Sequence, residues 1–211
     1  MATFELRNAT MLSRSDRRWA AAAFAACVAI GLGNDLLFNA VRGTQSIYLI
    51  DFALKALMLF VAMQAAQRLP PVRAQRPRWF LLLGALILCI VAGLLSEHIA
   101  PIIGDVWRLF EWPTITWPSL RAFDLTAGLL LNAAAEEFAY RRLALAVLPF
   151  GPRGNLIASA VLFGLVHWGN GLGYMMGAML CGLCWGFAYQ RTGSLALVIA
   201  AHYVVDFVIF F

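Results

Sequence analysis

Two adjacent glutamates in an apolar stretch are the first candidates for chemistry in this chain. Glu136 and Glu137 lie within 122–148, which is otherwise almost entirely Ala, Leu, Val and aromatic residues. The stretch can cross a bilayer, which takes about 20 residues. An ionised carboxylate near the bilayer centre costs roughly 3 kcal/mol or more. Two such residues in succession therefore indicate a functional site.

Helical spacing separates the two glutamates. Residues four apart share a helix face, so Glu137 can form an ion pair with Arg141. Glu136 is turned by about 100° from its neighbour and has no charged partner on its own helix, where Asn132 lies one turn before it. The spacing predicts that Glu137 has a structural role and that Glu136 is free.

Two histidines and an aspartate lie at a similar depth in later apolar stretches. His167 follows Phe163 by one helical turn, and His202 and Asp206 are four apart in the last stretch. At about 1.5 Å per residue, these three residues and Glu136 lie roughly 12–18 Å from the predicted cytoplasmic ends of their helices. A carboxylate base, a histidine that holds water and further donors to an oxyanion would suit hydrolysis.

Two other chemistries are weighed against this arrangement. No serine or cysteine lies in a matching polar cluster, so we do not expect an enzyme nucleophile. A zinc site needs three convergent ligands, and Glu136, His167, His202 and Asp206 could supply four. Zinc is therefore possible on chemical grounds.

The composition predicts an integral membrane protein of the all-α class. The chain has 211 residues, of which 62% are hydrophobic and 13% charged. Its mean hydropathy is +0.77. A soluble domain is about half apolar and a quarter charged. We predict a polytopic bundle with about seven membrane-spanning helices, at 19–41, 46–67, 79–99, 122–148, 155–171, 172–190 and 194–211. The segment 100–121, with its tryptophans and prolines, predicts an interfacial loop or a short surface helix.

The distribution of arginines predicts the orientation in the membrane. Cytoplasmic loops carry an excess of Lys and Arg. Most arginines lie before the first predicted span or in loops on the same side: Arg7, Arg14, Arg17, Arg18, Arg68, Arg73, Arg76, Arg78, Arg153 and Arg191. The opposite side has Arg42, Arg108 and Arg121. We therefore expect a cytoplasmic N-terminus, and the net charge of +5 gives no indication of nucleic-acid binding.

Several further residues have structural interpretations. The four cysteines lie inside apolar stretches, which predicts buried thiols rather than disulfides. Asp51 and Lys55 are four apart, which favours an ion pair within the second span over a proton or ion path. We expect the polar residues of the first span, Asn34, Asp35 and Asn39, to form interhelical hydrogen bonds or to lie near the outer interface. The pairs Gly173/Gly177 and Gly182/Gly186 predict close helix packing.

Three motifs in order carry a family resemblance. Glu136-Glu137-x-x-x-Arg141, Phe163-x-x-x-His167 and His202-x-x-x-Asp206 resemble the motifs of the CPBP family, the CAAX proteases and bacteriocin-processing enzymes, also called the Abi family. The resemblance runs from Asp124 to the end of the chain. It divides the chain into N-terminal helices with an interfacial segment, 1–121, and a catalytic core, 122–211.

The resemblance implies a glutamic-type intramembrane endopeptidase without a metal. It implies that Glu136 activates the attacking water with help from His167, and that His202 and Asp206 stabilise the oxyanion. Glu137, Arg141 and Phe163 would order the site. The last motif often ends in Asn. An ionised aspartate cannot donate to an oxyanion, so Asp206 would have to be protonated or orient His202.

The same resemblance sets the expected partners. We expect a peptide or membrane-associated protein substrate, such as a CAAX-like tail, a leader or a sorting peptide. The second expected partner is a lipid bilayer. The small size of the chain suggests that this bilayer is the cytoplasmic membrane of a bacterium. The alternative within the family is a non-catalytic immunity or scaffold protein. A small transporter is disfavoured because the sequence shows no paired, inverted halves.

Overall fold

Helices make up the regular structure of the described residues. The computed structural model describes residues 13–40, 44–70, 79–103, 106–109 and 112–211. These ranges contain no strand. Their main helices are α1 (Arg14–Ala40), α2 (Ser46–Ala66), α3 (Trp79–Ile103), α4 (118–147), α5 (Gly151–Leu165), α6 (Leu172–Thr192) and α7 (Leu195–Phe210). The predicted all-α bundle is confirmed.

Helix α4, which carries both glutamates, changes its winding along its length. Its successive segments are Pro118–Phe123, Asp124–Gly128, Leu129–Glu137, Phe138–Leu143 and Ala144–Val147, the second and fourth being π-helical. Pro118 suits the first turn, where a helix needs no backbone donor. Wider π turns within α-helices occur frequently at functional sites. The second π segment begins directly after Glu137.

The predicted helix 155–171 is too long at its C-terminal end. Helix α5 ends at Leu165, and His167 lies in the turn that leads to a short 3₁₀ helix, Trp168–Asn170. Gly171 then has a φ of 98°, which only glycine adopts readily. The sequence Trp-Gly-Asn-Gly therefore forms a turn, and His167 extends from the end of its helix.

The helices differ in their suitability for crossing a membrane. In the described part of the chain, α1, α2, α3 and α6 are long and apolar enough by length and composition, whereas α7 is a shorter apolar helix. Helix α5 has 15 residues, or roughly 22 Å at 1.5 Å per residue. Helix α4 is long enough but holds several charged residues. That all seven helices cross the bilayer remains a prediction.

Small side chains fill the interior of the bundle, and large apolar side chains lie on its surface. Ala20, Ala62 and Ala135 are fully buried, while Leu36 and Phe60 are exposed at 58% and 61%. Small interior residues let membrane helices approach closely. The predicted close packing is present at Gly177, Gly182 and Gly186, because a side chain there would collide with a neighbouring helix. A Cβ would come within 2.5–3.0 Å of Ser96, Ala160 and Leu156 respectively.

The segment between α3 and α4 is tied to the turn that follows α5. Helix α3 continues to Ile103, further than predicted, and 112–117 has no regular secondary structure before α4 begins. The Leu109 amide donates to Gly169 O at 2.9 Å, and the Leu172 amide donates to Val106 O at 2.9 Å. The orientation prediction rests partly on residues outside the described ranges, namely Arg7, Arg42, Arg73, Arg76 and Arg78. The Asn39 side chain is likewise outside the description.

Candidate active site

Glu137 forms the predicted ion pair within α4. Arg141 Nε lies 2.8 Å from Glu137 Oε2, and Arg141 Nη2 donates to Glu137 Oε1 at 3.2 Å. Both side chains are completely buried. The guanidinium also lies 4.8 Å above the centroid of the Phe163 ring. Such a pair is costly to break because either partner alone would be a buried charge.

His202 on α7 lies between the carboxylates. Its Nδ1 is 3.0 Å from Glu137 Oε1, and its Nε2 is 3.4 Å from Asp206 Oδ2 and 3.8 Å from Glu136 Oε2. The Trp185 ring packs against the imidazole, with centroids 4.2 Å apart. Since carboxylate oxygens accept hydrogen bonds, this surrounding favours a ring that donates from both nitrogens.

Asp206 is held as an acceptor. Asn132 on α4 donates its amide to Asp206 Oδ2 at 3.2 Å, the same oxygen that faces His202. Of the two arrangements expected for this aspartate, the geometry fits the one in which Asp206 orients His202.

His167 approaches the site from the turn after α5. Its Nδ1 is 2.7 Å from Phe163 O, and because a carbonyl only accepts, Nδ1 must carry the proton. The Phe163 ring packs against the imidazole with centroids 4.9 Å apart. In the neutral ring, Nε2 is then left as an acceptor that can hold a water molecule.

Glu136 is paired, in contrast to the free glutamate that helical spacing predicted. Lys55 Nζ on α2 contacts Glu136 Oε1. The prediction considered partners within α4, and this one comes from another helix. Glu136 Oε2 is buried and has no hydrogen-bond partner among the described residues. Oε1 of Glu136 is thus bound to Lys55, whereas Oε2 has a free capacity to accept a hydrogen bond.

A single cavity of about 280 Å³ joins these groups. Its lining includes all four predicted chemical residues, Glu136, His167, His202 and Asp206. Phe163 and Asn132 also line it, whereas Glu137 and Arg141 lie behind the wall. Ser96 and Cys181 reach the same cavity, and they contact each other at 3.5 Å while Ser96 donates to Gly93 O.

The first two helices supply residues that the three motifs do not include. Asn34 on α1 donates to Asp51 on α2 at 2.7 Å. The neighbouring Asp35 accepts from the Gly169 amide, next to the His167 turn, at 2.8 Å. The predicted interhelical hydrogen bonds are therefore present, while Lys55 contacts Glu136 rather than Asp51.

Sequence reasoning missed two residues of the cavity, Lys55 as a partner of Glu136 and Tyr140. The Tyr140 hydroxyl is buried, lines the cavity and has no hydrogen-bond partner in the ranges that the structure describes. Its signal was present, since Tyr140 follows Glu136 by four residues and so shares its helix face. Lys55 could be recognised only as a charge in an apolar stretch.

Among the described residues, no group of three or more His, Cys, Asp or Glu side chains is arranged to hold a metal ion.

The predicted disulfide-free state agrees with four free cysteines, three of them buried.

Comparison with known proteins identifies the C-terminal region. The sequence profile of one family, described as type II CAAX prenyl endopeptidase Rce1-like, matches residues 118–208. This confirms the resemblance to the CAAX proteases of the CPBP family over the helices that carry all three motifs. The curated proteins give no match to the chain. The solved structures give none either.

The match and the fold together define the class of protein. The apolar helices and the family are those of an integral membrane protein, and the family supports a CAAX-type intramembrane peptidase function in general. Peptide substrates and a lipid bilayer are the partners that such a function requires. The matched region excludes α1–α3, of which α1 and α2 supply Asn34, Asp35 and Lys55 to the cavity.

Proposed function

We propose that this protein is an intramembrane endopeptidase that hydrolyses a peptide bond with a water molecule activated by Glu136 and His167. The observation that carries the proposal is the convergence of Glu136, His167, His202 and Asp206 on one cavity. A second observation is that Glu136 Oε2 and the Tyr140 hydroxyl, both buried there, have no hydrogen-bond partner among the described residues.

The proposed reaction uses the available oxygen of Glu136 as the general base. Water attacks the scissile carbonyl carbon, and its proton passes to Glu136 Oε2. His202 Nε2 then turns its N–H from Asp206 Oδ2, 3.4 Å away, to the tetrahedral oxyanion, while Glu137 Oε1 holds Nδ1 at 3.0 Å and Asn132 keeps its hydrogen bond to Asp206. When the intermediate collapses, the carbon–nitrogen bond breaks and Glu136 returns the proton to the leaving amine. Preorganised donors of this kind account for a large part of many rate enhancements.

The proposed substrate is a peptide segment of a membrane-associated protein. A CAAX-like tail, a leader peptide and a sorting peptide all present such a segment. The family supports the first in general terms. The cytoplasmic membrane of a bacterium is the proposed location.

The test compares protein termini in cells that express wild type or Glu136→Ala at equal levels. We expect mass spectrometry of membrane proteins to find N- or C-termini that are present with wild type and absent with Glu136→Ala. Asp16→Ala is the matched control, since it removes a half-buried carboxylate in the first turn of α1, outside the cavity, and should leave these termini unchanged.

Identical termini in all three strains would contradict the proposal. If a phenotype of the host were then rescued equally well by Glu136→Ala, a non-catalytic immunity or scaffold role would replace peptidase activity.

A further inference from the structure

Lys55 is the only lysine among the 16 basic residues of the chain, the others being arginines. It lies on α2, outside the region that matches the peptidase family. Its side chain is 13% exposed, and its ammonium contacts the 4%-exposed carboxylate of Glu136. An isolated charge in such a place would be strongly unfavourable. The two opposite charges therefore depend on each other.

The geometry points to Lys55 as a positioning residue of the active site, one that keeps Glu136 as a carboxylate and leaves a single oxygen of it available to water. This inference rests on the proposed peptidase function. It extends the site beyond the three motifs to a helix to which no role has been assigned.

The two oxygens of Glu136 are used differently. Glu136 lines the cavity, and its Oε1 contacts Lys55 Nζ. Its Oε2 is buried, 3.8 Å from His202 Nε2 and without a hydrogen-bond partner in the described ranges. A carboxylate can act as a general base only while it is ionised. In an apolar cavity, a nearby ammonium favours that ionised form. Anchoring Oε1 also leaves Oε2 as the oxygen of this cavity-lining residue that has no other partner among the described residues.

A buried carboxylate on the same helix stabilises the charge of Lys55. Asp51 lies one helical turn before Lys55, is buried and interacts electrostatically with it. Asn34 on α1 fixes Asp51 through a hydrogen bond of 2.7 Å. A lysine ammonium is one compact charge, so Asp51 can stabilise it electrostatically while its direct contact is with Glu136. Asn34 on α1 thus holds Asp51 on α2, and the charge of Asp51 acts on the lysine that contacts Glu136 on α4.

The first experiment observes Lys55 directly and needs no substrate. Protein with a lysine-free tag is produced with ¹³C- and ¹⁵N-labelled lysine, so its only labelled side chain gives one Cε–Nζ signal in NMR. We expect Glu136→Gln to shift this signal by several linewidths. Asp206→Asn, which removes another carboxylate of the same cavity, should leave it within one linewidth. An unshifted signal in Glu136→Gln would overturn the inference.

The second experiment separates positioning from packing. We expect Lys55→Met, which keeps the length of the side chain but removes its charge, to lower kcat by roughly 10²-fold with KM unchanged. Lys55→Arg, which keeps the charge, should recover most of that loss. Wild-type kcat in Lys55→Met, or a Lys55→Arg variant as impaired as Lys55→Met, would overturn the positioning role.

The outcomes distinguish this inference from the proposed function. If wild type produces Glu136-dependent termini and Lys55→Met matches it, only the role of Lys55 is overturned. If wild type cleaves nothing, the proposed function is overturned, and the positioning role with it. The NMR comparison retains Lys55 in every sample, so it decides the pairing even if Lys55→Met does not fold.

Discussion

Each ring nitrogen of His202 faces a carboxylate, and this leaves few lone pairs in the cavity for a metal ion. Nδ1 faces Glu137 and Nε2 faces Asp206, at 3.0 and 3.4 Å. A metal ligand must offer a nitrogen or oxygen lone pair. In Asp206, Oδ2 already accepts from Asn132, and in Glu136, Oε1 contacts Lys55. The same contacts that suit a proton-transfer site therefore compete with metal coordination.

We predict that peptidase activity does not depend on a metal. Asp206→Asn should keep cleavage within about tenfold, because an amide oxygen can still accept from His202 and Asn132. Asp206→Leu, which cannot orient the imidazole, should lower kcat by about 10²–10³-fold. Both rates are measured before and after treatment with a chelator. Activity that is lost to the chelator and restored by zinc would contradict this prediction.

At the scale of elements, the position of His167 depends on how closely α5 approaches α6. Gly164 lies three residues before His167, and a Cβ placed on it would come within 2.6 Å of the Met175 backbone oxygen on α6. Backbone cannot move aside as a flexible side chain can. Glycine at this position therefore sets the spacing of the two helices and, through it, the reach of the histidine.

We predict that Gly164→Ala moves α5 away from α6 and lowers both stability and activity. Overpacking of this kind costs about 1–3 kcal/mol, measurable as a lower midpoint of thermal unfolding in detergent. Gly84→Ala is the control, because a Cβ on Gly84 meets nothing within 4 Å. Equal midpoints for the two variants would show that the close approach is not required.

How much of this arrangement a sequence can predict depends on the range of the interaction. The Glu137–Arg141 pair follows from helical spacing alone, and the glycine contacts follow from small residues at spacings of four. The contact between Lys55 and Glu136 joins residues that are 81 positions apart. It depends on which faces of α2 and α4 meet, and a single sequence has no signal for that. The end of α5 at Leu165 differs from the predicted span because Trp-Gly-Asn-Gly forms a turn within an apolar stretch.

At the scale of the whole molecule, the cavity is shared by both parts of the chain. Helices α1 and α2 contribute Asp35 and Lys55, while α4 and the later helices contribute the three motifs. The family match, which begins at residue 118, therefore describes part of the site. The N-terminal helices pack directly against α4, so the sequence ahead of the matched region belongs to the same structural unit.

We predict that the two ends of the chain lie on opposite sides of the membrane, with the N-terminus in the cytoplasm. The reason is the excess of arginines on one side of seven predicted spans. Ser13→Cys and Phe211→Cys introduce exposed thiols near the two ends, whereas three of the four native cysteines are buried. A membrane-impermeant reagent applied to intact cells should label Phe211→Cys, and applied to inside-out vesicles it should label Ser13→Cys. Labelling of both thiols from one side would mean an even number of crossings.

The turn that bears His167 has a consequence for how a substrate is handled. Gly169 in this turn is bonded through its amide to Asp35 and through its carbonyl to Leu109, and Leu172 just beyond it is bonded to Val106. In many enzymes a mobile loop must close before each turnover and so limits the rate. Here the turn that carries the histidine is already held at several points, so in the proposed peptidase it would not have to close before each turnover. The pace of turnover would then be governed by the arrival and departure of the peptide.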